Sequence, residues 1–452
     1  MERRAVRVAE VFDANPVTSS FQIRICAICF LLVILDGFDL FIIGVAAPKI
    51  IAYLHCKPSA FGLAMSANQV SSILGAIFWG MLADRAGRKW TLVTCSFVFG
   101  LFTLFTVWIT SVEQLALLRF IAGIGLGGAV TNALAFGSEY APTRLRKTFA
   151  STMFAGMPAG ALLGGLLAAW AIPHLGWQSL FAFGGIAPMA VAAIAAAALP
   201  ESLEFLTAKR KDQARIRKIV AKITPAFARD EQIDFCPSEK KVSGGSVKNL
   251  FTEKRGPMTI LFWLALAGSF YFVLILIIWM PTMLHMAGAT PVQYSLAYAA
   301  MNVGGTLGTI LCGRFMDKRD PYKILAIGFV MGYLGLTAFG LIAGGSFFII
   351  VLVAIYCGFF ISGSQDGTMA LTAVSYPPDI RGTAVGWGYA AAKVGSWFAP
   401  VVGGHLLTIG WSVSKICTVN AFAGLLCAAI MLVLKSRAAV AERLRVKASL
   451  AV

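Results

Sequence analysis

Long apolar runs separated by short polar segments dominate this chain. Crossing a bilayer core of about 30 Å at about 1.5 Å per residue takes roughly 20 apolar residues in a helix. Runs of that length fall at 24–51, 60–83, 90–110, 114–137, 148–172 and 177–199, and again at 258–286, 292–316, 323–344, 347–374, 383–409 and 413–434. The pattern predicts an all-α membrane protein with twelve transmembrane helices. One long polar stretch, 200–257, separates six runs from six. The chain therefore reads as an N-terminal six-helix bundle over 1–199, a cytoplasmic central loop over 200–257 and a C-terminal six-helix bundle over 258–452. The loop mixes acids with Lys209, Arg210, Lys211, Arg215, Arg217 and Lys218, which predicts amphipathic helices on a membrane surface.

Composition supports a bilayer as the solvent. Of the 452 residues, 58% are hydrophobic and 13% charged, against about 25% charged in soluble domains. The net charge of +17 would suit a nucleic-acid partner, but its distribution argues against one. Basic residues fall in alternate loops: Arg3, Arg4 and Arg7; Arg85, Arg88 and Lys89; Arg144, Arg146 and Lys147; the central loop; Lys318, Arg319 and Lys323; and Arg381. The intervening loops hold little beyond Lys57 and Lys415. That bias predicts a multi-pass inner-membrane protein with both termini in the cytoplasm. Residues 1–20 lack the apolar core of a cleaved signal, so the first helix is expected to be retained.

Enzyme chemistry finds no support. There is no GxxxxGK[ST] phosphate loop; of the nine cysteines only Cys26 and Cys29 come close to a metal or redox spacing, inside an apolar run without histidine support, and the four histidines show no metal-ligand spacing. No cofactor or metal is expected, and the chain is expected to work as a monomer in the lipid bilayer.

The two halves repeat. Gly80-Met81-Leu82-Ala83-Asp84 lines up with Gly313-Arg314-Phe315-Met316-Asp317 at an offset of 233 residues. Repeated six-helix halves suggest a pseudo-symmetric carrier of small solutes. The loop Gly80 to Lys89 joins the second and third runs. Gly80 would let helices approach and Gly87 would allow a tight turn. Asp84, Arg88 and Lys89, with Glu139, Arg144 and the repeat's Asp317, form a candidate charged gate, or else a determinant of folding and topology alone.

Charges inside the apolar runs carry the other candidate chemistry, because a buried charge at mid-bilayer costs at least about 2.5–3.5 kcal/mol. Asp36 and Asp39 stand three apart on one helical face and suit proton uptake and release, or pairing with a basic residue. Arg119 lies at a depth similar to Asp39. It offers a bidentate fork to a substrate carboxylate, or a fixed salt bridge to the acid. Gln365, Asp366 and Lys393 lie in the tenth and eleventh runs. Asp366 and Lys393 either neutralise each other or leave Lys393 to hold an anion. Asn132 and Asn302 are candidate polar lining, and Phe38 and Trp279 candidate stacking surfaces for a ring. Gly123-xxx-Gly127, Gly304-xxx-Gly308 and Gly382-xxx-Gly386 read as close helix packing.

These motifs resemble the major facilitator superfamily, and within it the aromatic acid/proton symporter branch. The loop Gly80 to Lys89 is similar to the superfamily's loop signature. Leu35-Asp36-Gly37-Phe38-Asp39 resembles the branch's first-helix motif; Arg119 to Pro142 resembles its fourth helix, and Gln365 to Gly388 its tenth and eleventh. The resemblance implies the two-bundle major facilitator fold and proton-driven import of a small organic anion, an aromatic carboxylate of the hydroxybenzoate kind, by alternating access. It also implies essential roles for Asp36 and Asp39 and a conformational role for Asp84, Arg88 and Lys89. Thr131, Asp366, Met369 and Lys393 depart from the branch pattern, which bears on which acid is carried. Proton-antiport export of a drug or metabolite is the competing reading. A ligand-sensing receptor finds no signalling segment in the loop or tails.

Overall fold

The computed structural model describes residues 4–14, 19–145, 148–149, 152–153, 155–209, 213–224, 227, 233–237, 247–252 and 255–449. Arg3, Arg146, Lys147, Arg210 and Lys211 of the basic flanks lie outside the described residues. Long helices follow the apolar runs. They are α1 (Ser20–Tyr53), α2 (Pro58–Ala86), α3 (Arg88–Phe105), α4 (Val112–Glu139), α5 (Gly156–Leu175) and α6 (Gln178–Ala198). The second set is α7 (Gly256–Met286), α8 (Pro291–Lys318), α9 (Pro321–Ile342), α10 (Phe347–Val374), α11 (Pro378–Thr408) and α12 (Val413–Ser449). Eleven described helices are long and apolar enough to cross a membrane. The twelfth, α11, spans 31 residues, but glycines and Lys393 dilute its hydropathy. The twelve-helix reading holds. α1 starts at what we call the near end and finishes at the far end, and successive helices alternate.

By contacts the chain forms two compact units. The first comprises Met1–Leu40, Val70–Ala161 and Gln178–Val242; the second comprises Phe41–Gln69, Leu162–Trp177 and Ser243–Val452. Glycines bring helices to backbone distance inside each. In the first unit a Cβ at Gly37 would strike the Met157 carbonyl, one at Gly127 the Ser72 carbonyl and one at Gly160 the Ile34 carbonyl. In the second, a Cβ at Gly304 would strike the Ile355 carbonyl and one at Gly308 the Phe359 carbonyl. Gly80, Gly313, Gly382 and Gly386 differ: a side chain there would meet nothing within 4 Å. The close approach expected at Gly80 is therefore not present in this structure.

The near end of the first unit carries a small folded layer. Strand β1 (Arg4–Arg7) pairs in parallel with β2 (Ile233–Cys236), with Val6 opposite Phe235 and Arg7 opposite Cys236. The short helices Val8–Asp13, Leu203–Ala208 and Gln213–Val220 pack on it. Val6, Phe12, Leu206, Ile216 and Phe235 are buried together in the core that also holds Phe136 and Tyr140 of the α4 end. Thr224 Oγ1 donates to the Val11 carbonyl at 2.9 Å, and Asp13 accepts from the Thr143 N–H at 2.7 Å. The helix Gln213–Val220 is amphipathic, as expected, but protein covers its apolar face. The helix Leu203–Ala208 and strand β2 lie against it.

Gly308→Val should lower the melting temperature of the detergent-solubilised protein, because the added branch meets a backbone carbonyl; overpacking of this kind costs about 1–3 kcal/mol. Gly313→Val on the same helix, facing open space, should melt within experimental error of the parent.

Candidate functional site

A buried ion pair lies where α1, α3 and α4 meet. Asp39 is fully buried and Arg119 is 1% exposed. Nη1 of Arg119 donates to both carboxylate oxygens of Asp39, at 3.0 and 3.3 Å. Thr103 of α3 completes a ring: its hydroxyl donates to Asp39 Oδ1 at 2.9 Å and accepts from Arg119 Nη2 at 2.8 Å. The guanidinium lies over the Phe181 ring of α6 at 5.5 Å. A lone charge here would carry a large desolvation cost, so the pair exists because each charge cancels the other. Arg119 Nε is buried and has no hydrogen-bond partner among the described residues. Asp36, nearly one turn earlier on α1, is also buried. Gly37 between the acids lets the α5 backbone at Met157 reach α1. The similar depths of Asp39 and Arg119 point to this pairing in the sequence, whereas Thr103 is one of several α3 threonines and carries no distinguishing signal.

The near-end loop builds a second charged cluster. Arg88 pairs with Glu139 at 2.7 Å, and the Ser202 hydroxyl donates to the other Glu139 oxygen at 2.5 Å. Glu201 Oε1 accepts the N–H groups of Lys89 at 3.0 Å and Ser202 at 2.9 Å. Its carboxylate thus sits on the positive N-terminus of α3, where unsatisfied amides favour a negative charge. Tyr140 donates to the Glu201 carbonyl at 2.7 Å, and Gln22 donates to the Tyr140 carbonyl at 2.8 Å. Gly87 has φ +108°, and a Cβ there would strike the Glu201 carboxylate. Arg88, Lys89, Gly87 and Glu139 are brought together; Asp84 and Arg144 are exposed. Glu201 and Ser202 escaped the sequence reading because they stand at the start of the polar stretch.

The second half repeats the position with other residues. Asp317 is exposed and pairs with no described residue. Asp320 instead caps α9, accepting from Tyr322 N–H at 3.0 Å, and pairs with Lys435 of α12 at 2.8 Å. At the repeat offset of 233, Asp320 corresponds to Gly87 and Lys435 to Ser202. Each half thus ties the start of its third helix to the end of its sixth.

The remaining candidates are dispersed. Asp366 accepts from Thr309 Oγ1 of α8 at 2.7 Å and makes no ion pair with Lys393 among the described residues. It follows by one turn a π-helical stretch, Gly358–Ser362, of the kind that marks functional sites. Gln365 is half-buried beside it in sequence. Lys393 stands over the Tyr389 ring at 5.3 Å. Asn132 and Asn302 donate to carbonyls in their own helices, Gly128 at 2.8 Å and Tyr298 at 2.9 Å. Phe38 packs edge-on against Phe183 at 5.2 Å.

Trp279 belongs to a tightly packed far end in the second unit. It is fully buried, edge-on to Phe61 at 5.9 Å, with Gly62 and Gly403 against its ring. A Cβ at Gly44 would strike the Ile277 carbonyl, and Ser59 N–H donates to Thr408 Oγ1 at 2.9 Å. The far ends of α1, α2, α7 and α11 therefore meet through these ring and backbone contacts.

Gly87→Ala should destabilise the near-end cluster, since a non-glycine residue in this backbone region costs about 1–3 kcal/mol and its methyl displaces Glu201. A lower melting temperature and faster proteolysis after Arg88 would register the loss.

Comparison with known proteins follows this geometry. The family profile described as Major Facilitator Superfamily matches residues 29–336 and 262–449. The 4-hydroxybenzoate transporter PcaK of Pseudomonas aeruginosa is 33% identical over 412 residues, covering 91% of this chain and 92% of its own. A gallate transporter of Pseudomonas putida is 33% identical, covering 90% of each chain. The 3-(3-hydroxy-phenyl)propionate transporter of Escherichia coli is 30% identical, covering 94% of this chain and 96% of its own. Among solved structures, a D-xylose-proton symporter superposes with a TM-score of 0.72 at 18% identity, covering 91% of this chain and 97% of that one. At that identity the structural likeness speaks to the fold.

Proposed function

This chain belongs to the major facilitator superfamily of transporters, and from that premise we propose that it imports a small aromatic carboxylate together with a proton, by alternating access. The near end, with the central loop and the basic flanks, faces the cytoplasm, and the protein lies in the inner membrane. The relatives are transporters of hydroxybenzoate, gallate and hydroxyphenylpropionate, all aromatic carboxylates, which supports the substrate class.

The observation that carries the mechanism is the buried Asp39–Arg119 pair with its unbonded Nε–H. Arg119 is always protonated, so its charge needs an anion at every stage of the cycle. In the empty carrier Asp39 is that anion. Protonation of Asp39 neutralises it and releases the guanidinium. The Nε–H and a terminal N–H then form a two-pronged fork for the substrate carboxylate. Both states are neutral at this site and can reorient. A site holding Arg119 with neither partner, or with both anions, carries an unmatched buried charge and does not. When the substrate leaves on the cytoplasmic side, Arg119 returns to Asp39 and the proton departs. Asp36 accompanies Asp39 as a second proton-accepting acid. Phe181, under the guanidinium, and Phe38, which precedes Asp39 in α1, offer ring faces for an aromatic group. The Arg88–Glu139 contact and its Glu201–Ser202 support open and close at the cytoplasmic end as the gate cycles.

The test is uptake of radiolabelled 4-hydroxybenzoate into proteoliposomes by an Asp36→Asn, Asp39→Asn double variant. Accumulation driven by an inward proton gradient, measured per molecule of folded protein recovered in the vesicles, should be lost. Retained gradient-driven accumulation in the double variant would remove the proposed proton site.

A further inference from the structure

We infer that Thr103 is a positioning residue for proton coupling: its hydroxyl is the two-state partner that keeps Asp39 satisfied whether that carboxyl is charged or protonated. The inference rests on the proton-coupled reading above. It comes from a feature that neither the sequence motifs nor the comparisons single out.

Thr103 is fully buried, in the last turn of α3, and bonds to both members of the ion pair. The geometry fixes how its single proton is used. Arg119 Nη2 only donates, so the hydroxyl oxygen accepts there and its proton goes to Asp39 Oδ1. Once Arg119 turns to a substrate carboxylate, the Thr103 oxygen loses that donor. Asp39 at the same moment carries a proton that needs an acceptor. A hydroxyl can rotate and accept from the acid it previously donated to. No carbonyl, ammonium or aliphatic group can serve both roles. Rotation about the C–O bond moves only the hydrogen, so the oxygen stays in place. Asp36 and Arg119 are the charged side chains of α1 and α4 that share this buried layer with Asp39, and Phe181 closes it from α6. Thr103 is the α3 contribution.

The experiment compares parent, Thr103→Val and Thr103→Ser in proteoliposomes, measuring initial uptake of radiolabelled 4-hydroxybenzoate against pH with and without an inward proton gradient. Valine keeps the shape and removes the hydroxyl. A hydrogen bond to a charged group is stronger than one to a neutral group, so valine weakens the charged form of Asp39 more than the protonated form. The pH profile of Thr103→Val should therefore move upward by about one pH unit. Its maximal rate should fall about tenfold because proton release is hampered, with KM within about twofold of the parent. Thr103→Ser should restore both profile and rate. A Thr103→Val protein with an unchanged pH profile, whose rate falls only in line with a lower melting temperature, would overturn the inference and leave Thr103 a packing residue. If valine prevents folding, Thr103→Ala and Thr103→Ser give the same reading: an alanine profile matching that of serine overturns it. A parent protein whose uptake ignores the proton gradient overturns the proposed function and this inference together; a gradient-driven parent with an unmoved variant overturns this inference alone.

Discussion

A guanidinium that stays charged inside a membrane must have an anion beside it, and much of this molecule is arranged around that requirement. Arg119 has Asp39 as its anion and Thr103 to bind both, with Phe181 beneath. Three helices contribute the three hydrogen-bonding side chains, so the site forms only when α1, α3 and α4 are packed. The glycines serve that packing. Gly37 lets α5 press on α1 between the two acids, and Gly127 lets α4 meet α2 at backbone distance. A charge pair of this kind contributes little net stability, because its desolvation roughly offsets its attraction. Its value lies in the dependence of each charge on the other. Neutralising the acid makes a new anion necessary, which is what a coupled carrier needs.

The two ends handle backbone and charge differently. At the near end, ions do the joining: Arg88 to Glu139, Glu201 to the α3 N-terminus, and Asp320 to Lys435 in the second half. At the far end, apolar and backbone contacts seal the second unit around Trp279, Phe61 and Gly44. The layer of β1, β2 and short helices at the near end packs directly against Tyr140, whose hydroxyl holds the Glu201 carbonyl. Residues far apart in the chain thus meet in one charged cluster.

Helices and their number were legible in the sequence because lipid demands runs of about 20 apolar residues and leaves little room for other solutions. Only α11 blurs that signal, through its glycines and Lys393. Asp36, Asp39 and Arg119 were legible for a related reason: charges are rare enough in such runs that each stands out. Thr103 and Ser202 were not, since hydroxyls are common and inexpensive in membrane helices and near their ends. Glu201 was hidden by its place in a polar stretch, where one acid more or less carries no signal. Pairing of β1 with β2 joins segments more than two hundred residues apart, and nothing local foretells it. Gly80 illustrates the opposite error: a glycine in a strong motif suggested close helix contact, yet open space surrounds it here.

The most direct measurement follows protons rather than solute. Purified protein in weakly buffered detergent is mixed with 4-hydroxybenzoate at a pH above the acid's own titration, and the change in free proton concentration is read with an indicator dye. If substrate and Asp39 compete for Arg119, binding draws a proton from solution in the parent protein, and Asp39→Asn binds without drawing one. Binding by the parent with no proton uptake, or equal uptake by Asp39→Asn, would contradict the account.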